Sequence, residues 1–244
     1  AASHANNVLV MPRPGKPAVV RRLPPDYQPP DIQIPASSNG DSAAAAWAGS
    51  QLYRRHEGGV LSRSLGSAVH ALLEELARLR VASDWPSARL ALEPMRPRIT
   101  SQLRAAGVDQ KQAAKIAGQA LEIALNATHD PHAQWILSAH AHAASEVRWA
   151  GIIGGGLREV RVDRIFRAAS VPRAHGDDCW WIIDYKTAHD DRSDPAQVLA
   201  KLRPLFASQL ELYAKVLRNL HGPGTAVRAG LYYPRMQAFD WWEL

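Results

Sequence analysis

The apolar positions of the chain change period once, near residue 145. The change divides a helical part from a strand-bearing part. Helical spacing begins near Ala43 and is clear from Ser64, where Leu65, Val69, Leu72, Leu73 and Leu76 fall at helical intervals and Ser64 is the expected N-cap. The stretch 84–137 predicts more helix. Gly107 reads as a stop and Asp109 as the next N-cap, opening an amphipathic helix over 110–127 with Ile116, Leu121, Ile123 and Leu125 as its expected core. Asp130-Pro131 predicts a further short helix. From about Ser145 the period is two. One strand is expected over 146–152, a turn at Gly154-Gly155-Gly156, and a strand over 157–166 in which Val160, Val162 and Ile165 are interleaved with Arg161, Asp163 and Arg164. A loop over 169–178 contains Pro172 and Gly176, and a strand over 179–186 follows. The last two strands should pair as an antiparallel hairpin.

Asp194-Pro195 predicts another helix, interrupted at Pro204 and followed by a second helix over about 205–220 that Gly222 closes. Gln209 and Tyr213 are four apart and share a face, while Leu210, Leu217 and Leu220 are placed to pack on the sheet. A strand over 226–233 and an edge over 239–244 complete an α/β pattern.

The chemistry gathers around 179–187, Cys-Trp-Trp-Ile-Ile-Asp-Tyr-Lys-Thr. Trp180 to Ile183 favour a strand covered on both faces. Asp184 and Lys186 then share one face at its end, and their charges need partners there. A register that pairs Phe166 with Trp181 places Asp163 opposite Asp184, beside Lys186. Two neighbouring carboxylates call for a cation, and hard oxygen ligands favour Mg²⁺, with Mn²⁺ as the second choice. A lysine beside such an ion can position water or offset charge on a phosphorane-like transition state. The competing reading is an ordinary surface Asp–Lys pair. His70 sits on the edge of the first apolar helical face, where a histidine by itself is a packing or surface residue. His129, His132, His140 and His142 do not have the spacing of a common zinc site, and they read as helix-end or surface histidines.

Composition adds four constraints. Residues 1–46 hold 8 of the 17 prolines and read as a linker or extended arm, with a disordered tail as the alternative; the domain is then 47–244. The net charge of +6 and pI near 9.7 point to a polyanionic partner, nucleic acid ahead of membrane. The single Cys179 excludes an internal disulfide framework and any four-cysteine zinc or iron–sulfur site, and it suits a cytoplasmic setting. There is no apolar run of spanning length, no signal-peptide core, no P-loop motif and no initiator Met, so a soluble piece of a longer protein without a motor of its own is expected.

Taken in order, Gly66-x-x-x-His70, Glu146 at a strand start, Val162-Asp163-Arg164-Ile165, Ile183-Asp184-Tyr185-Lys186-Thr187 and Gln209-Leu210-x-x-Tyr213 resemble the RecB-type nuclease domain of the PD-(D/E)xK superfamily, over about 64–234. Arg22-Leu23-Pro24 also looks like the segment that leads from an AddA-type helicase body into its nuclease domain. The resemblance implies a mixed central β-sheet flanked by helices. It implies a metal held by His70, Asp163, Asp184 and the Tyr185 carbonyl, with Lys186 as the catalytic lysine. Gln209 and Tyr213 would line the site, and Glu146 would orient Lys186 or approach a second metal. It further implies DNA as substrate, an exonuclease role in double-strand-break repair and recombination, an upstream helicase domain and a second helicase–nuclease subunit. Ser67 stands where the family often has Thr. The four cysteines of AddB-type domains are missing, which favours the AddA or RecB side with no iron–sulfur cluster. The alternatives are a DNA-binding or structural module that is not catalytically competent in isolation, and a nuclease for RNA.

Overall fold

The computed structural model describes residues 59–188 and 194–244. The expected arm over 1–46, the domain boundary after it and the helical spacing from Ala43 to 58 lie outside the described residues. The described chain opens with α1 (Val60–Arg80), α2 (Trp85–Leu92), α3 (Arg96–Ala105), α4 (Gln110–Ala127) and α5 (Pro131–Ile136). Strands β1 (Ala141–Ile153), β2 (Gly156–Ala168) and β3 (Cys179–Tyr185) follow, then α6 (Pro195–His221), β4 (Val227–Tyr233) and β5 (Ala238–Glu243).

Local chemistry sets several boundaries. Asp84 accepts from the Ser87 amide, Asp109 from Lys111 and Gln112, and Asp130 from His132. Each such cap is worth about 1 kcal/mol. The first helix departs from expectation: it begins at Val60, behind Gly59 and without a side-chain cap, so Ser64 lies inside it. Its buried face is Ala68, Val69, Leu72, Leu73, Leu76 and Ala77. In α4 the buried stripe is mostly alanine (Ala113, Ala117, Ala120, Ala124) with Ile116, while Leu121, Ile123 and Leu125 are only partly buried. Small side chains let the α4 backbone come close to α1, which moves the leucines to the rim.

The five strands form one mixed sheet in the order β1-β2-β3-β4-β5. All neighbours are antiparallel except β3 and β4, which are parallel and are joined through α6. Phe166 pairs with Trp181, the register expected for the hairpin. One face packs against the first five helices through Phe166, Trp181, Ile183 and Tyr232. The other packs against α6 through Ile182, Leu231, Phe206, Leu210 and Leu217. β3 is therefore covered on both sides.

Three expectations need correction. Pro204 does not break α6, which runs on for 27 residues. The lost N–H bond is offset by the apolar contacts of Leu202, Leu205 and Phe206 and by Arg203, whose Nε donates to Asp240 Oδ2 at 2.7 Å. Leu220 is 52% exposed and does not pack on the sheet. β1 begins at Ala141, five residues early, because pairing with Arg167 and Ile165 recruits a segment with little strand propensity of its own.

The β2–β3 ladder ends at Arg164–Ile183. Past that rung β3 pairs only with β4, and β2 only with β1. The two strands part at Asp163 and Asp184. The loop 169–178 lies at the opposite end of the hairpin. Its stems are tied by Trp181 Nε1 to the Ala169 carbonyl at 2.8 Å and Arg167 Nε to the Asp177 carbonyl at 2.6 Å.

Candidate active site

The parting of the strands removes the Tyr185 amide from the β2–β3 ladder. Asp163 Oδ2 accepts it instead, at 2.7 Å. The other carboxylate oxygen of Asp163 lies 3.4 Å from His70 Nδ1. His70 comes from α1, and its Nε2 donates to the Tyr185 carbonyl at 3.0 Å, which leaves Nδ1 facing the acids. Gly66, one turn earlier, lies where α1 comes close to the end of β3: a Cβ there would stand in contact with Thr187 Oγ1, at 3.5 Å.

Glu146 occupies the position opposite Asp163, between the pairs Ser145–Arg164 and Val147–Val162. Its φ of 54° is left-handed, a conformation that is costly for a residue other than glycine and that collects at functional sites. Its Oε1 is 4.0 Å from His70 Nδ1, and its Oε2 accepts from Arg161 Nε at 2.5 Å. One donor atom each from His70, Glu146 and Asp163 fall within 4.8 Å of one another.

The electrostatics follow from this crowding. Burial disfavours the His70 cation, but Asp163, Asp184 and Glu146 outweigh it and raise the histidine above its usual range. Burial works against the Asp163 anion too, yet His70, the Tyr185 amide and Lys186 hold its carboxyl below the usual value. Glu146 is raised by burial and by Asp163, against the pull of Arg161. The cluster favours a cation at its centre.

Asp184 and Lys186 lie toward α6. Lys186 Nζ is 2.5 Å from Asp184 Oδ2 and 4.2 Å from the centre of the Phe206 ring. Gln209 Nε2 donates to Asp184 Oδ1 at 3.4 Å and to the Tyr213 hydroxyl oxygen at 2.5 Å. Burial pushes the Asp184 carboxyl up to about 6; Lys186 opposes the rise and Asp163 adds to it. Burial also raises the Tyr213 phenol. A cavity of about 270 Å³ joins the two groups and is lined by His70, Glu146, Arg161, Asp163, Asp184, Gln209 and Tyr213, with Ser67 and Glu74 at α1.

An imidazole, carboxylates and a backbone carbonyl in one place fit a divalent ion such as Mg²⁺ or Mn²⁺. Residues 44–239 match the family described as the PD-(D/E)XK nuclease superfamily. The chain belongs to that superfamily. No curated protein matches this nuclease-superfamily chain. Among solved structures, one titled "Crystal structure of SSO0001" matches it at 18% identity, over 76% of this chain and 77% of that chain, with a TM-score of 0.26. A superposition so loose carries no argument.

Of the residues that the resemblance implicates, His70, Glu146, Asp163, Asp184, Gln209 and Tyr213 line this cavity, and Tyr185 and Lys186 adjoin it through His70 and Asp184. The tight donor group contains Glu146 rather than Asp184, whose carboxylate is held by Lys186 and Gln209. The other four histidines lie elsewhere: His129 beside Arg89, His132 near Phe239, His140 on the Trp135 carbonyl and His142 near Trp180. Sequence reasoning missed Arg161 and Glu74. Arg161 is two residues before Asp163 on a strand, and Glu74 is four after His70 on a helix, so both spacings put them beside a chosen residue.

Proposed function

We propose that the chain is a metal-dependent DNA nuclease domain that hydrolyses phosphodiester bonds, and that it works as the exonuclease of an AddA- or RecB-like helicase–nuclease in double-strand-break repair and recombination. The observation that carries this reading is the convergence of His70, Glu146 and Asp163 donor atoms within 4.8 Å at the point where β2 and β3 part, with Lys186 and Asp184 in the adjoining group. The proposed partners are DNA, an upstream helicase domain and a second helicase–nuclease subunit, and the proposed setting is the cytoplasm. None of the described helices is long and apolar enough to cross a membrane.

His70, Asp163 and Asp184 would hold the ion, with the Tyr185 carbonyl beside them and Glu146 within reach. Bound there, a divalent ion supplies Lewis-acid polarisation of the scissile phosphate and lowers the cost of forming hydroxide. The chain's own residues do the rest. Asp184 fixes Lys186 Nζ by their ion pair, and Phe206 beneath the ammonium limits where it can swing. Lys186 orients the attacking water and offsets charge on the pentavalent phosphorus as the bond to the leaving oxygen breaks. Gln209 holds Asp184 Oδ1 and is itself located by Tyr213. The test is degradation of end-labelled linear DNA with Mg²⁺, Mn²⁺ or chelator. We expect metal-dependent cleavage that falls at least about a hundredfold in Lys186→Ala with the fold retained. Equal rates for the two proteins would overturn the assignment.

A further inference from the structure

Next to the donor cluster, on the β1–β2 ribbon, two arginines face each other. Arg161 lines the cavity with its side chain 60% exposed. Its Nε is committed to Glu146 Oε2 at 2.5 Å, and its terminal nitrogens make no hydrogen bond to an acid among the described residues. Directly opposite it in the ladder is Arg148, which is exposed and has no ion-pair partner among the described residues. Directly opposed residues on antiparallel neighbours point to the same face, and like charges so placed repel. Such a rung is unfavourable alone and becomes favourable when an anion bridges it. A guanidinium fixed through Nε still presents its outer N–H groups as a fork, which suits phosphate oxygens. The rung lies two residues beyond the Glu146–Asp163 position, roughly 6–7 Å along the strand. That is the order of the step between neighbouring phosphates on one strand.

We propose that the Arg148–Arg161 rung is a phosphate-binding subsite for a polynucleotide backbone, one step along from the bond that is cut, with Glu146 as the positioning residue that aims Arg161. This rests on the nuclease reading and adds to it where the strand lies: along the β1–β2 ribbon, not only across the ends of β2 and β3. The contact is to backbone, so it is indifferent to base sequence.

The experiment measures binding of a labelled single-stranded oligonucleotide to the full chain by anisotropy over a salt series, with Ca²⁺ in place of Mg²⁺ to hold back cleavage. Arg148→Ala and Arg161→Ala should each weaken binding about tenfold and each reduce the slope of log affinity against log salt by about 0.7. The double variant should lose about 1.4 of that slope. Arg161→Lys should keep the slope while losing affinity, because the charge stays and the fork goes. Arg104→Ala, on an exposed position at the end of α3, should behave as wild type. Calorimetric titration of Mn²⁺ without DNA should give Arg148→Ala an affinity within about twofold of wild type. Wild-type slopes in both arginine variants would overturn the subsite and leave the nuclease reading standing. So would an Arg161→Ala defect seen only in metal affinity. A wild-type chain that binds no oligonucleotide at any salt would overturn both.

Discussion

Asp184 is a carboxylate taken almost wholly out of water, at 3% exposure, with one lysine against it. That lysine does not fully offset the burial, so the carboxyl is pushed up to about 6. A protonated carboxyl is a poor ligand, and an ion that binds here must displace the proton. Divalent-ion affinity should therefore fall as pH drops through about 6, and His70, raised above its usual range, adds a loss that begins at higher pH. Calorimetric titration of Mn²⁺ between about pH 5 and about pH 8 would read this, with proton release at the lower end. Asp184→Asn should bind weakly and keep only the pH dependence that His70 and Glu146 impose. A wild-type affinity that is level across the range would contradict the assignment of Asp184 as a ligand. At this scale the sequence spoke clearly about Asp184 and Lys186, because strand alternation alone puts them side by side at the end of an apolar run. It said less about Glu146. Its bond to Arg161 crosses two strands, and its left-handed backbone has no signature in a Ser-Glu-Val segment.

Among the elements, β2 and α5 are joined by the contact of Phe166 with Trp135 and by one buried polar side chain. Arg164, 5% exposed, donates to the carbonyls of Ile136 at 3.2 Å and Ser138 at 2.8 Å and to Ser145 Oγ at 3.1 Å. It closes the C-terminal end of α5 and docks it on the sheet beside Asp163. Arg164→Met keeps much of the volume but strands those acceptors, and should cost about 3 kcal/mol, seen as a lower urea midpoint with an unchanged m-value. A loss under about 0.5 kcal/mol would show that water replaces the guanidinium. Helix starts with an Asp cap, at Asp109 and Asp130, were legible because the cap is made by the residue that signals it. The start of α1 was not, since Gly59 offers no side chain. The continuity of α6 through Pro204 was not legible either, because its compensation comes from the sheet face and from Asp240. The extra length of β1 depends on pairing with β2, which no local window contains.

Over the whole molecule, the site is assembled from five elements that run from α1 to α6. α1 gives His70, β1 Glu146, β2 Asp163, β3 Asp184 and α6 Gln209, and the bond from His70 to the Tyr185 carbonyl spans 115 residues. The order of motifs along the sequence was readable, and so was the PD-(D/E)xK superfamily to which the chain belongs. The face of the β1–β2 ribbon that carries Arg148 was not, because it exists only once the register is set. The same arrangement leaves the other end of the hairpin free of chemistry. The base of the loop 169–178, at Cys179, stands five strand residues from Asp184, roughly 17 Å, and its tip, with Val171, Arg173, Ala174 and His175 exposed, lies beyond the base. Its stems are anchored by main-chain acceptors, so the tip can open without loosening β2 or β3. A short flexible insertion between Ala174 and His175 should leave the melting temperature and the rate of DNA cleavage as they were; a drop in either would show that the tip is coupled to the sheet. The loop is thus a handle: a dye or surface tether attached there would let single molecules be watched through successive turnovers from outside the chemistry.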